Sequence, residues 1–187
     1  MIEKERRLSV SRGKYSEILE YAGINFKSKS SNVRIDYYYD DDYFLLYKNS
    51  TTLRVRQTGD ALELQRIRRL VENGESREIS KVFVTEYALP HIIDDRFLLK
   101  GCLVTNRRGF IVSEGVELDL DENLYLGDCD FEVIIKSAKA ADSHSLHIMN
   151  ELGLSNADNV CGKSYRFFEK LQKLKPRLYQ SDNTALR

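Results

Sequence analysis

The sequence predicts an α+β fold in which antiparallel strands carry apolar side chains on one face and charged side chains on the other. Residues 52–58 alternate in this way, with a leucine and a valine opposite two arginines. Residues 61–68 repeat the alternation after a Gly-Asp turn, which predicts a β-hairpin. Apolar residues at helical spacing predict helices over residues 14–23, before Gly153, and over residues 163–174, where the helix is expected to end before Pro176.

The length and charge of the chain limit the classes of function. Its 187 residues fit a single domain over residues 1–175, followed by a polar, mobile tail over residues 176–187. The formal net charge is zero, so no whole-protein field favours nucleic acid or membrane as a partner. The longest apolar runs are also too short to span a bilayer. The oligomeric state stays open, with a homodimer as one option.

Cysteine usage and the first residues indicate a cytoplasmic protein. The three cysteines are widely spaced and include no CxxC pair, so neither a disulfide framework nor a zinc knuckle is indicated. The first residues are charged and lack the apolar stretch of a secretory signal. His144 and His147 are three residues apart with no third ligand nearby, which favours surface histidines over a metal pair.

The other elements follow from the same patterns. Strands are predicted at residues 3–7, 33–39, 77–83, 102–107, 110–112, 116–120 and 131–136. Residues 28–32 are predicted as a loop, residues 72–75 as a turn, and residues 85–97 as partly helical with an interruption at Pro90. The aspartates at residues 40–42 lack the glycine and glutamate spacing of a calcium loop, so a solvated turn is expected.

The charged faces mix acidic and basic side chains at a spacing of two residues. Glu3, Glu5 and Arg7 share one face of the first predicted strand, and Arg54 and Arg56 share a face of a later one. In one interpretation these faces simply meet solvent. In the other, the sheet closes with its charges inward, so that basic groups hold phosphate oxygens and carboxylates hold a hard divalent cation.

Seven short motifs follow one another between residue 3 and about residue 170. They are Glu3-Lys4-Glu5-Arg6-Arg7, Tyr38-Tyr39-Asp40, Leu53-Arg54-Val55-Arg56, Thr105-Asn106-Arg107, Glu117-Leu118-Asp119, Leu126-Gly127 before Phe131-Glu132, and Lys163-Ser164-Tyr165-Arg166-Phe167. In this order they resemble the CYTH superfamily of triphosphate tunnel enzymes, which includes class IV adenylate cyclases, thiamine triphosphatases and inorganic triphosphatases. The resemblance is to the stand-alone bacterial branch of that superfamily.

The resemblance implies a closed eight-stranded antiparallel β-barrel, a tunnel with a charged interior and with helices packed on the outside. The phosphate-binding residues that it implies are Arg7, Arg54, Arg56, Arg107, Lys163 and Arg166. The metal ligands that it implies are Glu3, Glu5, Glu117, Asp119 and Glu132. Glu5 and Arg7 would be catalytic, and the cofactor would be Mg²⁺ or Mn²⁺, with one ion favoured over two.

Three positions depart from the superfamily's pattern. Arg7 and Gln65 each stand where a lysine is usual, and Ile134 stands where a second carboxylate is usual, with Lys136 beyond it. The expected function is a metal-dependent phosphohydrolase acting on inorganic triphosphate, thiamine triphosphate or a nucleoside triphosphate. Two alternatives remain: a tunnel that binds phosphorylated ligands without turnover, and a class IV adenylate cyclase.

Overall fold

The computed structural model describes residues 4–72, 75–85, 89–155 and 161–180, and the burial of side chains over residues 4–68, 89–155 and 161–174. Glu3, the centre of the turn predicted at residues 72–75, and residues 181–187 of the predicted tail lie outside the described residues. The chain divides into two compact units. Unit 1 is Met1–Arg34 with Val104–Cys161, and unit 2 is Ile35–Leu103 with Gly162–Arg187. The expected single domain stays a prediction.

Nine strands and four α-helices make up the described chain. The strands are β1 (Lys4–Val10), β2 (Lys27–Asp40), β3 (Thr51–Thr58), β4 (Ala61–Glu72), β5 (Glu75–Thr85), β6 (Ile92–Ile93), β7 (Phe97–Ser113), β8 (Val116–Tyr125) and β9 (Asp128–Ser137). The helices are α1 (Arg12–Asn25), α2 (Leu45–Lys48), α3 (Asp142–Glu151) and α4 (Lys163–Gln180), with a 3-10 turn at Lys139–Ala141. Within the described ranges, no helix combines the length and the apolar character needed to cross a membrane.

The strands form one sheet in the order β1-β9-β8-β7-β2-β3-β4-β5, and β6 pairs with β7. The pairs β1–β9, β3–β4, β4–β5, β7–β8 and β8–β9 are antiparallel. The predicted antiparallel α+β fold is therefore confirmed. The predicted closure is wrong: over the described residues, the hydrogen-bonded order ends at β1 and β5. Alternation decides which face a side chain takes, whereas closure depends on strand tilt and stagger.

Three local predictions are also wrong. Residues 28–32 belong to β2, where the run of lysines and serines has no apolar face to reveal a strand. Residues 85–97 were predicted to be partly helical. In the described part of this range, β5 ends at Thr85, and the strand β6 and a turn stand in place of the predicted helix. Helix α4 continues past Pro176 to Gln180, so residues 176–180 are helical. Proline removes one backbone hydrogen bond from a helix, which can kink the helix without ending it.

In unit 1, the apolar faces of β1, β8 and β9 pack beneath α1 and α3. The core includes Leu8, Leu118 and Val133 from the strands, with Ile18 from α1 and Ile148 from α3. All five side chains are buried because each lies on the face of its element that points away from water. By alternation Glu5 and Arg7 of β1, Asp119 and Asp121 of β8, and Glu132 and Lys136 of β9 take the opposite face. Lys4 and Arg6 share the face of Leu8 and pair with Asp142 of α3.

In unit 2, the apolar face of β3 is covered as predicted, but α4 is not on that side. Leu53 and Val55 pack with Tyr39, Leu46 and Phe97, and Leu62 and Leu64 are half-buried against the same cluster. Helix α4 instead contacts the face of β2 and β3 that carries the charges. The ring of Tyr38 lies 4.8 Å from that of Phe167, and Thr52 Oγ1 donates to Ser164 Oγ at 2.9 Å. The expectation that the helices lie only on the apolar outside is therefore wrong for α4.

Two of the aspartates at residues 40–42 accept hydrogen bonds from the backbone at the start of α2. Asp40 accepts hydrogen bonds from the backbone N–H groups of Leu46 at 3.0 Å and Tyr47 at 2.9 Å. Asp41 accepts from Tyr43 and Leu45 at 3.1 and 3.0 Å. Both carboxylates are buried, so the predicted solvated turn is wrong for these two residues. The first N–H groups of a helix have no internal partner, and these carboxylates satisfy them.

Asp40→Ala is expected to lower the free energy of unfolding by about 1–3 kcal/mol, because buried N–H groups lose a charged acceptor. Asp42→Ala is the matched control, since Asp42 is exposed and pairs with Lys100 at 2.9 Å. Its loss should stay below about 1 kcal/mol. Urea unfolding followed by circular dichroism measures both values, and equal losses in the two variants would contradict the assigned cap.

Candidate functional site

Asp36 is the centre of the charged group in unit 2. Its side chain is 3% exposed and lies on the face of β2 that the alternation assigns to polar residues. Arg56 from β3 binds it with two parallel hydrogen bonds, Nε to Oδ1 at 2.8 Å and Nη2 to Oδ2 at 2.9 Å. Arg54 Nη1 donates to Oδ2 of the same carboxylate at 3.2 Å. One buried carboxylate thus holds two guanidinium groups.

Gln65 extends this group onto β4. The register places Gln65 opposite Arg54, and Glu63 opposite Arg56. Arg54 Nε donates to Gln65 Oε1 at 2.8 Å, and Gln65 Nε2 donates to Glu63 Oε2 at 2.9 Å. An amide both accepts and donates, which a lysine cannot do. Gln65 therefore orients Arg54 instead of adding a cation.

The electrostatics of this group favour an ionised Asp36. Burial raises the pKa of Asp36, but the hydrogen bond from Arg56 and the charges of Arg54, Arg56 and Lys163 outweigh it and leave the pKa below its ordinary value. Lys163, at the start of α4, therefore belongs to the same electrostatic group. Burial raises the pKa of the Tyr38 hydroxyl, so this group is a neutral phenol at neutral pH.

Arg107 of β7 is the centre of the charged group in unit 1. It binds Asp121 with two hydrogen bonds, Nε to Oδ1 at 2.7 Å and Nη2 to Oδ2 at 2.6 Å. Its Nη1 lies 2.7 Å from Asp119 Oδ2, an oxygen that also accepts from Lys136 Nζ at 2.5 Å. Burial lowers the pKa of Arg107, but the hydrogen bond and charge of Asp121, with Asp119 and Glu5, raise it overall.

Arg7 and Glu5 form an ion pair along β1 in the same unit. Burial lowers the pKa of Arg7, but Glu5 first, then Glu132 and Asp121, raise it above its ordinary value. Glu132 is 1% exposed and thus contributes to the field at Arg7 from a buried position. Arg7 is therefore held within a group of carboxylates in unit 1.

The predicted metal ligands do not converge into a ready metal site. Over the described residues, no three or more His, Cys, Asp or Glu side chains are placed to hold a metal ion. Glu5 pairs with Arg7, Glu117 with Lys29 at 2.6 Å, and Asp119 with Arg107 and Lys136. Mg²⁺ usually binds through one or two carboxylates with waters and substrate phosphates. In the described residues, Glu5, Glu117 and Asp119 are thus each engaged by a basic side chain instead of being grouped around a cation position.

Ile134 interrupts the charged face of unit 1. It lies opposite Arg7 on β1 and opposite Asp119 on β8, between two charged residues of the same row. Its side chain is 1% exposed. The departure seen in the sequence thus places an apolar side chain within the face that carries Glu132 and Lys136 on the same strand.

Three residues of these charged groups were not predicted as site residues. Asp36 and Tyr38 are two residues apart on β2 and so share a face of the strand. This spacing was the signal from which Asp36 could have been predicted as a site residue. The strand predicted over residues 116–120 ends one residue before Asp121, which continues the alternation of Glu117 and Asp119. Lys136 was noted only as a departure. Arg166 is half-buried on α4 and stays a predicted phosphate ligand.

The CYTH domain family model matches residues 1–160. The chain belongs to the CYTH domain family. Among curated proteins, none matches it significantly.

Solved structures share the fold of this CYTH chain. A candidate adenylate cyclase from Bacillus halodurans is 21% identical, with a TM-score of 0.66 over 89% of this chain and 97% of its own. A candidate adenylyl cyclase from Hippeastrum with a dominant triphosphatase activity is 15% identical, with a TM-score of 0.69 over 89% and 95%. The Mimivirus capping enzyme triphosphatase is 10% identical, with a TM-score of 0.50 over 80% and 88%. Identities this low establish the fold alone.

Asp36→Asn is expected to make stability less dependent on pH. The folded state holds Asp36 ionised, so its contribution is fully present above the ordinary carboxyl pKa of 3.8 and is lost as the pH falls through the lower folded-state pKa. The difference in unfolding free energy between wild type and Asp36→Asn should therefore be largest at neutral pH and shrink in acid. Chemical denaturation across this range measures it, with the exposed Asp60→Asn as control. A difference that grows in acid would contradict the assigned charge state.

Proposed function

We propose that this CYTH protein is a metal-dependent phosphohydrolase that acts on a triphosphate compound. The observation that carries the proposal is the group around Asp36, in which three basic side chains face one buried carboxylate. The surplus positive charge suits an anionic ligand, and guanidinium groups bind phosphate oxygens with two parallel hydrogen bonds. Membership of the CYTH family and the triphosphatases among the structures of similar fold support the same substrate class.

The proposed phosphate ligands are the six basic residues that the resemblance implies, namely Arg7, Arg54, Arg56, Arg107, Lys163 and Arg166. Asp36 and Gln65 hold the side chains of Arg54 and Arg56 before a ligand arrives, which lowers the entropy cost of binding. The proposed substrates are inorganic triphosphate and triphosphates that carry an organic group such as thiamine or a nucleoside.

The proposed cofactor is one Mg²⁺ or Mn²⁺ ion. The proposed ligand set is Glu3, Glu5, Glu117, Asp119 and Glu132, of which one or two carboxylates suffice when phosphate oxygens complete the coordination. A bound cation of this kind neutralises charge on the phosphate oxygens. Glu5 is proposed to orient the attacking water, and Arg7 to balance the charge on the terminal phosphate.

Ile134 favours a second candidate function, a protein that binds phosphorylated ligands without turnover. An isoleucine with 1% exposure within a charged face supplies no metal ligand. A class IV adenylate cyclase is a third candidate, since relatives of similar fold include candidate adenylate cyclases. We also propose a cytoplasmic location, because the exposed thiols of Cys102 and Cys129 suit a reducing compartment.

Arg56→Ala is expected to weaken the binding of inorganic triphosphate by about 1.5–3 kcal/mol, the value of a hydrogen bond to a charged group. Arg56→Lys keeps the charge but loses the two parallel bonds, so its loss should be smaller. Arg66→Ala is the control, because Arg66 is exposed on β4. Isothermal titration calorimetry measures all three affinities. Unchanged binding in a folded Arg56→Ala protein would remove Arg56 from the site.

The hydrolase is tested with a phosphate-release panel of inorganic triphosphate, thiamine triphosphate and ATP, with Mg²⁺ and with Mn²⁺. Release should require the metal, stop with a chelator and be lost in Glu5→Gln, which keeps the size of the side chain and removes its charge. Glu17→Gln on α1 is the control, since Glu17 is exposed and pairs with Lys14 at the surface. Tight binding of triphosphate with no release above background would favour the binding protein instead.

A further inference from the structure

Lys136 lies among three residues that carry carboxylates. On β9 it faces Glu5 of β1 on one side and Glu117 of β8 on the other. Its Nζ donates to Asp119 Oδ2 at 2.5 Å. The side chain of Lys136 is 19% exposed and that of Asp119 is 5% exposed, so water screens this contact only partly. The lysine thus carries a positive charge into the carboxylate-bearing part of unit 1.

These three carboxylates are also proposed ligands of the divalent cation. An ammonium group and a divalent cation need the same oxygens and repel each other at short distance. Asp119 Oδ2 is contacted both by Lys136 Nζ and by Arg107 Nη1 at 2.7 Å. A cation that binds this oxygen must therefore displace at least one of the two basic groups.

We propose that Lys136 is a resident cation that competes with the divalent metal for Glu5, Glu117 and Asp119 and so weakens metal binding by this chain. The inference rests on the proposed function, because it concerns the metal ligands of that site. Loss of the lysine charge removes a repulsion and one of the two basic contacts to Asp119 Oδ2. Metal affinity should then rise, although the sheet loses an ion pair.

A purely structural role for Lys136 predicts a different result. If the lysine only neutralises Asp119, then its removal lowers stability and leaves metal affinity unchanged, because Arg107 still holds the same carboxylate. A measurement of stability cannot separate these two roles. The affinity for a metal ion changes only if Lys136 competes with the metal. A conservative arginine at this position keeps the charge and should keep the weak affinity.

The test is a titration with Mn²⁺ of the full chain without substrate, in which electron paramagnetic resonance reports the free aqueous ion. Lys136→Met is expected to bind Mn²⁺ at least about tenfold more tightly than the wild type, because a like charge leaves the ligands. Lys136→Arg should match the wild type. Lys29→Met is the matched control, since Lys29 also pairs with Glu117 but is 42% exposed, and its effect should be smaller.

Circular dichroism establishes that each variant is folded, and Lys136→Gln replaces the methionine variant if that protein is unstable. Equal or weaker Mn²⁺ binding in the folded variant overturns the role of Lys136, as does the absence of Mn²⁺ binding in both proteins. Phosphate release by the same wild-type sample tests the proposed function separately. Tighter binding in the variant with no release by the wild type would reject the hydrolase and keep the competition.

Discussion

Compensation of buried charge is the constraint on which the charged face of this sheet depends. An isolated buried carboxylate costs several kcal/mol, so it needs basic side chains or N–H groups that compensate its charge. Asp36 meets this need through Arg54 and Arg56, and Asp121 through Arg107. Each of these pairs joins residues that are distant in sequence but lie on neighbouring strands. The pairs fix side chains that would otherwise be mobile. In the proposed function, phosphate and metal would replace some of these internal partners.

The sequence predicted the parts of the fold that follow from alternation. Antiparallel strands, the hairpin after Thr58 and the burial of Leu53 and Val55 all follow from a period of two and a turn. Closure of the sheet did not follow, because it depends on how the end strands are tilted and staggered. The strand at residues 28–32 was missed for another reason, since a polar run that lacks an apolar face gives no periodic signal.

The candidate site was predictable only in part. The resemblance identified the arginines and glutamates that carry the charges, but not the residues that hold them in place. Asp36 and Gln65 act through hydrogen bonds across strands, which depend on a register that the sequence alone does not give. The position of Lys136 opposite Glu5 depends on the same kind of information. Ile134 and Lys136 are the residues on which the proposed hydrolase and the alternative binding protein are distinguished here.

The central claim is that this charged face binds a triphosphate and cleaves it with a divalent cation. Phosphorus NMR of inorganic triphosphate with the wild-type protein and Mg²⁺ tests it most directly, because this compound is the part that all proposed substrates share. The account predicts that the triphosphate signals are replaced by those of orthophosphate and pyrophosphate, and that a chelator stops the change. Triphosphate signals that persist unchanged in position, width and area would contradict both binding and cleavage.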